Sequence, residues 1–143
     1  MSAVEISSLS KIFNADGANR VEALVDVDLS VASGEFISLI GPSGCGKSTL
    51  LRLIGDLLTP TSGQITVNGK PAHQARLDQD YGMAFQSAGL FEWRTVQKNI
   101  ELPLELKGWD KAKRAARAQE MLELVKLPEF AGHMPWQLSG GMQ

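Results

Sequence analysis

An octapeptide that ends in lysine and serine has the clearest chemistry in this sequence. Residues 41–48 read Gly-Pro-Ser-Gly-Cys-Gly-Lys-Ser and fit the phosphate-binding pattern G-x-x-x-x-G-K-[ST]. Lys47 would reach the β- and γ-phosphates, Ser48 would ligate Mg²⁺, and Thr49 follows within reach of the α-phosphate. Glycines let backbone N–H groups approach the phosphates closely. The predicted triphosphate site also includes Gly41, Pro42, Ser43, Gly44, Cys45 and Gly46.

The flanking residues place this loop between a strand and a helix, as the pattern requires. Residues 35–40 are mostly apolar and β-prone, which predicts a short strand. Residues 49–54 carry leucines at helical spacing, so we expect a helix that begins near Lys47. The N-terminus of that helix would add partial positive charge to the site. The alternative interpretation, a glycine-rich turn with an ordinary surface lysine, fits these flanks less well.

Cys45 is the only cysteine, so the chain cannot form an intramolecular disulfide. Its place beside Lys47 and a helix N-terminus is typical of a reactive thiol. We favour the simpler interpretation, a small residue that fits a tight loop.

Two later segments narrow the function. Residues 81–86, Tyr-Gly-Met-Ala-Phe-Gln, predict a strand that ends in Gln86, and residues 138–143 read Leu-Ser-Gly-Gly-Met-Gln. Phosphate loop, strand-terminal glutamine and an L-S-G-G tetrad, in this order, strongly resemble the ATP-binding subunit of an ABC transporter. The resemblance covers nearly the whole chain but only the first part of the family's domain. It implies an α/β fold of the P-loop NTPase ABC type, with an antiparallel β layer, a parallel core and a helical subdomain.

The resemblance also implies roles for individual residues. Gln86 would link Mg²⁺ and the attacking water to the membrane partner, and Phe13 would stack on adenine unless it is an ordinary packed phenylalanine. The signature motif would contact the γ-phosphate held by the opposite protomer of a homodimer. Small residues that open a helix suit such an anion. The signature residues are Leu138, Ser139, Gly140 and Gly141.

Residues 89–100 resemble the importer branch that handles nitrate, sulfonates, taurine and similar small solutes. That branch usually has proline where this chain has Glu92. Transmembrane permease subunits would contact the Gln86–Thr95 region, where Trp93 could pack on the permease or on the helical subdomain. An extracytoplasmic solute-binding protein would take part indirectly.

The resemblance as a whole implies a subunit that couples ATP binding and hydrolysis to import of a small solute across the cytoplasmic membrane. The chain has no D-x-x-G or N-K-x-D motif of a GTPase. A non-transport ABC-type ATPase acting on nucleic acid or the ribosome is the main alternative, and an inactive nucleotide-binding fragment is another. We expect no nucleic-acid partner, because Lys111, Lys113, Arg114 and Arg117 are more typical of a solvated helix face. His73 and His133 have no zinc-ligand pattern around them.

The remaining elements predict a β-rich ATP-binding part over residues 1–86, a helical subdomain over 87–137 and the start of the signature motif over 138–143. Strands are expected at 4–13, 21–31 and 63–69, with a turn at 14–19 and an Asn-Gly turn at 68–69. A helix over 95–107 should be interrupted at Pro103. Asp110 should cap a helix to about Lys126. Its predicted buried face consists of Ala115, Ala118, Leu122 and Val125.

Composition predicts one soluble globular chain: 143 residues, 43% hydrophobic, net charge −2. The sequence has neither an apolar run long enough to span a bilayer nor a signal-peptide pattern. We therefore expect a cytoplasmic protein, peripheral on the inner face of the membrane. The family's second acidic motif, catalytic carboxylate and switch histidine would follow Gln143, so this chain alone is expected to bind ATP and Mg²⁺ without hydrolysing ATP. Without later strands, residues 36–40 should expose an apolar face.

Overall fold

The structure is a computed structural model that describes residues 2–15, 17–87 and 89–143. It divides into two compact units, Met1–Ala84 and Phe85–Gln143. The predicted division of the chain into 1–86, 87–137 and 138–143 remains a prediction.

The first unit is built on an antiparallel sheet with strand order β2-β1-β3-β4. The strands are β1 (Ser2–Phe13), β2 (Val21–Ala32), β3 (Ser62–Val67) and β4 (Lys70–Pro71). β1 is central, since Ile6 pairs with Leu29 of β2 on one side and with Ile65 of β3 on the other. The three strands predicted in these regions are confirmed. In the predicted turn at 14–19, Gly17 N–H donates to the Asn14 carbonyl at 3.0 Å, and Asp16 lies outside the described residues.

The predicted Asn-Gly turn joins β3 to β4. Asn68 and Gly69 both have positive φ, 51° and 76°, and Val67 pairs with Lys70 across the turn. Two positive φ angles are the geometry of a type I′ turn, which matches the right-handed twist of paired strands. The Asn-Gly dipeptide therefore sets the register of β3 and β4.

Two helices pack on the sheet, α1 (Lys47–Ile54) and α2 (Ala72–Leu77). The start of α1 at Lys47 agrees with the prediction. The apolar side chains that the sheet and the helices bury form one core, which consists of Ile6, Leu9, Leu50, Leu53, Ile65, Val67, Ala72 and Ala75. This core holds α1, and with it the end of the phosphate-binding loop.

Two predicted strands are wrong. Residues 35–40 and 81–86, all of them described, form no strand. A strand needs a ladder of hydrogen bonds with a neighbour, and no strand pairs with either segment within the described part of the chain. Phe36 and Ile40 are 94% and 92% exposed, so the expected exposed apolar face at 36–40 is confirmed.

The second unit is helical. It contains α3 (Val96–Leu106), α4 (Lys111–Leu124) and two short 3₁₀ helices, Pro128–Phe130 and Pro135–Gln137. Asp110 caps α4 as predicted: its Oδ1 accepts hydrogen bonds from the N–H groups of Ala112, at 2.9 Å, and Lys113, at 3.4 Å. Ala118 and Leu122 are buried on the predicted face of α4.

Two details of these helices differ from the prediction. Pro103 does not interrupt α3, which continues to Leu106. Proline removes one backbone donor, and a helix with buried side chains can absorb that loss. Val125 is exposed because α4 ends at Leu124, and Lys126 then turns away with φ 61°.

Glu101 is the one fully buried charged side chain within the described residues, and it connects α3 to α4. Its Oε2 lies 2.7 Å from Lys98 Nζ and 3.5 Å from Arg114 Nε, while Gln97 donates to its Oε1 at 2.9 Å. Burial raises the pKa of Glu101, but the hydrogen bonds from Lys98 and Gln97 and the two nearby cations outweigh burial and lower it. Glu101 is therefore ionised in the folded unit.

Among the described residues, none of the helices has both the length and the apolar character needed to span a membrane.

We expect Glu101→Gln to destabilise the second unit by about 1–3 kcal/mol, because the substitution removes a buried charge from its partners. The variant and the unsubstituted chain should differ fully in free energy of unfolding above pH ~4.3, which is near the pKa of an unfolded glutamate. This difference should vanish as the pH falls through the lower pKa of folded Glu101. Hydrogen exchange of the α3 and α4 amides measures this local stability.

Glu105→Gln is the matched control on the same helix. Its pair with Arg94 is partly exposed, so we expect a loss below ~1 kcal/mol. Equal losses for the two variants at every pH would contradict a stabilising role of the buried carboxylate.

Candidate functional site

The phosphate-binding loop leads into α1 through two glycines with left-handed backbone. Gly44 has φ 81° and Gly46 has φ 95°, while Cys45 N–H donates to the Pro42 carbonyl at 3.4 Å. L-residues with a side chain rarely adopt such angles. The two glycines therefore allow the loop a backbone conformation that would be strained with most other residues.

Gly46 also lies against the sheet. A Cβ on Gly46 would come within 2.6 Å of the Ala23 carbonyl oxygen and 2.9 Å of the Leu24 side chain. The start of α1 thus touches the backbone of β2 directly, at a distance that only a glycine allows. This contact fixes where the helix terminus points.

The N-terminus of α1 is left open. No side chain within the described residues caps it, its first turn contains no acidic residue, and the first helical hydrogen bond runs from Leu50 N–H to the Gly46 carbonyl at 2.8 Å. The N–H groups that precede Leu50 therefore have no partner within the helix. Open donors together with the helix dipole make this terminus suitable for an anion.

Lys47 folds back over the loop. Its Nζ donates to the carbonyls of Gly41 and Pro42, both at 2.7 Å, and lies 3.3 Å from Cys45 Sγ. The ammonium group thus stands at the loop, held only by neutral acceptors. Phosphate oxygens, which carry charge, are stronger acceptors for an ammonium than these carbonyls.

The remaining loop residues are accessible. Pro42, Ser43 and Ser48 are exposed, and Thr49 is half-buried. The buried side of α1 carries Leu50 and Leu53 instead. The hydroxyl predicted to ligate Mg²⁺ therefore lies on the accessible part of the helix.

Phe13 is half-buried at the end of β1. Lys11 Nζ lies 5.1 Å from the centre of its ring, within the range of a cation–π contact. Stacking of an adenine on Phe13 stays a prediction, and a base on that face of the ring would compete with Lys11.

Tyr81 and Met83 belong to the first unit and contact the end of α1. The sequence predicts only that they lie in a strand. The Tyr81 hydroxyl donates to the Gly55 carbonyl at 2.5 Å, at the end of α1, and a Cβ on Gly55 would come within 2.5 Å of Met83 Cε. Burial raises the pKa of Tyr81, which keeps its phenol protonated as the donor. The segment before Gln86 is thus anchored on the far end of the phosphate-site helix.

Gln86 lies in the second unit, on an exposed bend. The segment that follows it is organised by Asn99, which sequence reasoning missed. Asn99 Oδ1 accepts from Phe91 N–H at 2.7 Å, and its Nδ2 donates to the carbonyls of Phe91, Arg94 and Thr95, each at 3.1 Å. An asparagine in the first turn of a helix, four residues after the capping Thr95, is the signal that could have identified it.

The tetrad at 138–141 is anchored by its first residue. Leu138 is buried against Val96 and Leu122, whereas Ser139, Gly140 and Gly141 are exposed. The Ser139 carbonyl accepts from Met142 N–H at 2.9 Å and from Gln143 N–H at 3.2 Å, so a turn begins at Ser139. The leucine fixes the tetrad and leaves its polar part accessible.

The predicted site residues are divided between the two units. Phe13 and the loop over 41–49 belong to the first unit, while Gln86 and the tetrad belong to the second. The described residues contain no cluster of three or more His, Cys, Asp or Glu side chains that could hold a metal ion.

Comparison with known proteins gives consistent matches. A model of the ABC transporter family matches residues 24–143. The chain is 44% identical over 140 residues to an uncharacterized ABC transporter ATP-binding protein of Methanocaldococcus jannaschii, with 98% of this chain and 51% of that protein covered. It is 46% identical over 147 residues to the methionine import ATP-binding protein MetN of Nocardia farcinica, with 99% and 44% covered. Identity to the taurine import ATP-binding protein TauB of Roseobacter denitrificans is 38% over 143 residues, with 100% and 53% covered.

The chain thus spans about half the length of the curated relatives it matches. Among solved structures, a dimeric ATP-binding cassette in a post-hydrolysis state bound to ADP and Pi has a TM-score of 0.86 and 35% identity. That match covers 97% of this chain and 64% of the solved chain.

We expect Gly46→Ala to destabilise the first unit by about 2 kcal/mol or more, because a Cβ would meet both the positive φ and the Ala23 carbonyl. Gly44→Ala is the matched control, since Gly44 also has positive φ but its Cβ would meet open space. The control should lose only about 1 kcal/mol. Urea unfolding, followed by hydrogen exchange of α1, measures both. Equal losses would show that the contact with β2 does not hold the loop.

Proposed function

The chain belongs to the ABC transporter family of ATP-binding proteins, and on that premise we propose that it binds ATP through residues 41–49. In a protein of the relatives' length, this binding would be coupled to ATP hydrolysis and to import of a small solute across the cytoplasmic membrane. The observation that carries the proposal is the uncapped N-terminus of α1, with Lys47 held only by neutral carbonyls of the same loop.

Charge and geometry support this proposal. A triphosphate would accept hydrogen bonds from the free N–H groups at the start of α1, and its charge would draw Lys47 from the Gly41 and Pro42 carbonyls. Among the described residues, Lys47 is the charged side chain with hydrogen bonds to the loop, and the first turn of α1 contains no acidic residue. An anion would therefore meet attraction without a competing carboxylate in the first turn.

Mg²⁺ fits the residues present. The ion prefers hard oxygen ligands and keeps several waters, so one hydroxyl together with phosphate oxygens is sufficient. Ser48, exposed in the first turn of α1, would supply that hydroxyl. Gln86 would supply a second protein ligand and would orient the water that attacks the γ-phosphate.

A second copy of the protein is the proposed partner at the site. The accessible Ser139, Gly140 and Gly141 would contact the γ-phosphate bound by the other protomer, while buried Leu138 holds them in place. That a matched cassette of 35% identity was solved as a dimer supports this arrangement.

Permease subunits would contact the region from Gln86 to Thr95, of which Ala88 lies outside the described residues. Trp93 is exposed there and presents apolar surface to a partner. Its ring centre lies 4.9 Å from that of Phe91, with the two rings tilted by 42°. An extracytoplasmic solute-binding protein would deliver the solute, and the chain would sit peripherally on the inner face of the membrane.

The proposed solute is a small organic or inorganic ion of the nitrate, sulfonate or taurine class. The match to a taurine importer supports this class, while methionine importers match with similar or higher identity. The permease and the binding protein would make the final choice of solute.

We expect Lys47→Ala to weaken binding of a non-hydrolysable ATP analogue with Mg²⁺ by at least about tenfold, because it removes the charge that would meet the β- and γ-phosphates. Lys70→Ala is the control, since Lys70 pairs with Asp78 and Asp80 instead of the loop. Titration calorimetry measures both. An unchanged affinity in Lys47→Ala would place the nucleotide elsewhere.

The shared site predicts complementation between two inactive proteins of the relatives' full length that carry this chain. Lys47→Ala and Ser139→Ala should each abolish most ATP hydrolysis alone. A mixed dimer regains one intact site, because the Lys47 of one protomer meets the Ser139 of the other. Mixing should therefore restore hydrolysis well above either variant, and an activity equal to the average of the two would refute the shared site.

A further inference from the structure

The last residue of α3, the connection over 107–110 and the first residues of α4 form an exposed corner, residues 106–113, which we name the α3–α4 corner. All eight residues from Leu106 to Lys113 are exposed, whereas the helices on either side bury Glu101 and Ala118. Gly108 reverses the chain with φ 73°, directly after α3 ends. The corner is therefore an unbroken exposed run at a reversal of the chain.

The corner exposes two large apolar side chains. Leu106 is 70% exposed and Trp109 is 44% exposed. Neither belongs to the cluster of buried residues that holds the second unit together. Leu106 and Trp109 are three residues apart, on either side of the reversal at Gly108. We call this pair the apolar tip of the corner.

Lysines surround this tip. Lys107, Lys111 and Lys113 are exposed, and the structure pairs none of them with a carboxylate within the described residues. The only acidic residue of the corner is Asp110, whose Oδ1 is engaged by the N–H groups of Ala112 and Lys113. The corner therefore carries a net positive charge next to its apolar side chains, in a chain whose overall charge is −2.

We propose that the α3–α4 corner contacts the surface of an anionic lipid bilayer. Tryptophan and leucine gain from the boundary between headgroups and acyl chains, and lysines beside them meet the negative surface potential. Exposed side chains at a reversal of the chain suit a fluid surface, which can close around them. A folded protein partner would instead need a matching groove.

A second exposed apolar segment provides an internal contrast. Residues 36–40 expose Phe36 and Ile40, but the nearest charge in the sequence is Glu35. That segment has no cation to favour anionic lipid, so any lipid binding through it would be independent of lipid charge. Dependence of vesicle binding on lipid charge therefore distinguishes binding through the corner from nonspecific hydrophobic adsorption through residues 36–40.

The test is co-sedimentation of the full chain with vesicles of phosphatidylcholine alone or with about one third phosphatidylglycerol. We expect binding to the anionic vesicles and at least about tenfold weaker binding to the neutral ones, with the difference lost in high salt. Lys111→Glu with Lys113→Glu should weaken anionic binding at least about tenfold, and Leu106→Ser with Trp109→Ser should weaken it to a similar degree.

Arg52→Glu with Lys126→Glu is the matched control, because it gives the same change in net charge at exposed positions outside residues 106–113. It should retain binding within about twofold. Circular dichroism verifies that each variant keeps its helices. A chain with Trp93→Phe and Trp136→Phe leaves Trp109 as the single tryptophan. Its emission, excited at a wavelength that tyrosine does not absorb, should shift to the blue on anionic vesicles.

Three results would overturn the proposal. One is equal binding to neutral and anionic vesicles, and another is equal loss in the control variant. The third is binding to a single-stranded DNA oligomer that depends on Lys111 and Lys113 without binding to vesicles, which would assign the corner to nucleic acid.

Discussion

The contact between Gly46 and the Ala23 carbonyl is the constraint on which the phosphate-binding loop depends. It ties the first residue before α1 to the backbone of β2, at a distance that excludes any Cβ. Because α1 also buries Leu50 and Leu53 in the core of the first unit, the helix is held at its terminus and along one side. The direction of its dipole is therefore set by the sheet, and the loop needs only to deliver N–H groups to that end.

In the second unit, an ion pair contributes to the packing of the helices. A buried carboxylate, Glu101 of α3, contacts Arg114 of α4, and Lys98 on its own helix helps to balance its charge. This ion pair adds to the apolar packing of Val96 on Leu122, whereas the core of the first unit is entirely apolar. The N-terminus of α3 is fixed in turn by the residues before the tetrad, since Val96 and Gln97 donate N–H to the carbonyls of His133 and Ala131 at 2.8 and 3.0 Å. Leu138 completes this arrangement by packing on Val96. The position of the tetrad thus depends on the same helix that carries the buried charge.

Local chemistry explains which features the sequence could predict. The Asn68–Gly69 turn, the Asp110 cap and the start of α1 each depend on residues within one turn of the chain, and all three are confirmed. The α/β ABC-type ATPase fold is also confirmed, by the family match and by a TM-score of 0.86 to a solved cassette. The strands predicted at 35–40 and 81–86 are wrong because a strand depends on a distant partner, which β propensity cannot supply.

In the candidate site, too, the sequence predicts the local features but not the contacts that form on folding. The loop at 41–49 could be located from its own residues, whereas the clamp by Asn99 and the contact of Tyr81 with Gly55 depend on side chains that meet only after folding. The interruption predicted at Pro103 is also wrong. The loss of one backbone donor did not end α3, which buries Val96 and Glu101.

Exposure of apolar side chains has a different meaning at residues 36–40 and at residues 106–113. At 36–40 the exposed residues follow a strand-like sequence without cations, and an extended apolar segment of this kind is suited to pairing with another strand. At 106–113 the exposed Leu106 and Trp109 lie on a helix–helix connection among three lysines. A helical connection offers no free strand edge, so backbone pairing cannot explain this exposure. The charge around an apolar side chain, together with the backbone that carries it, therefore determines whether protein or lipid is the better partner.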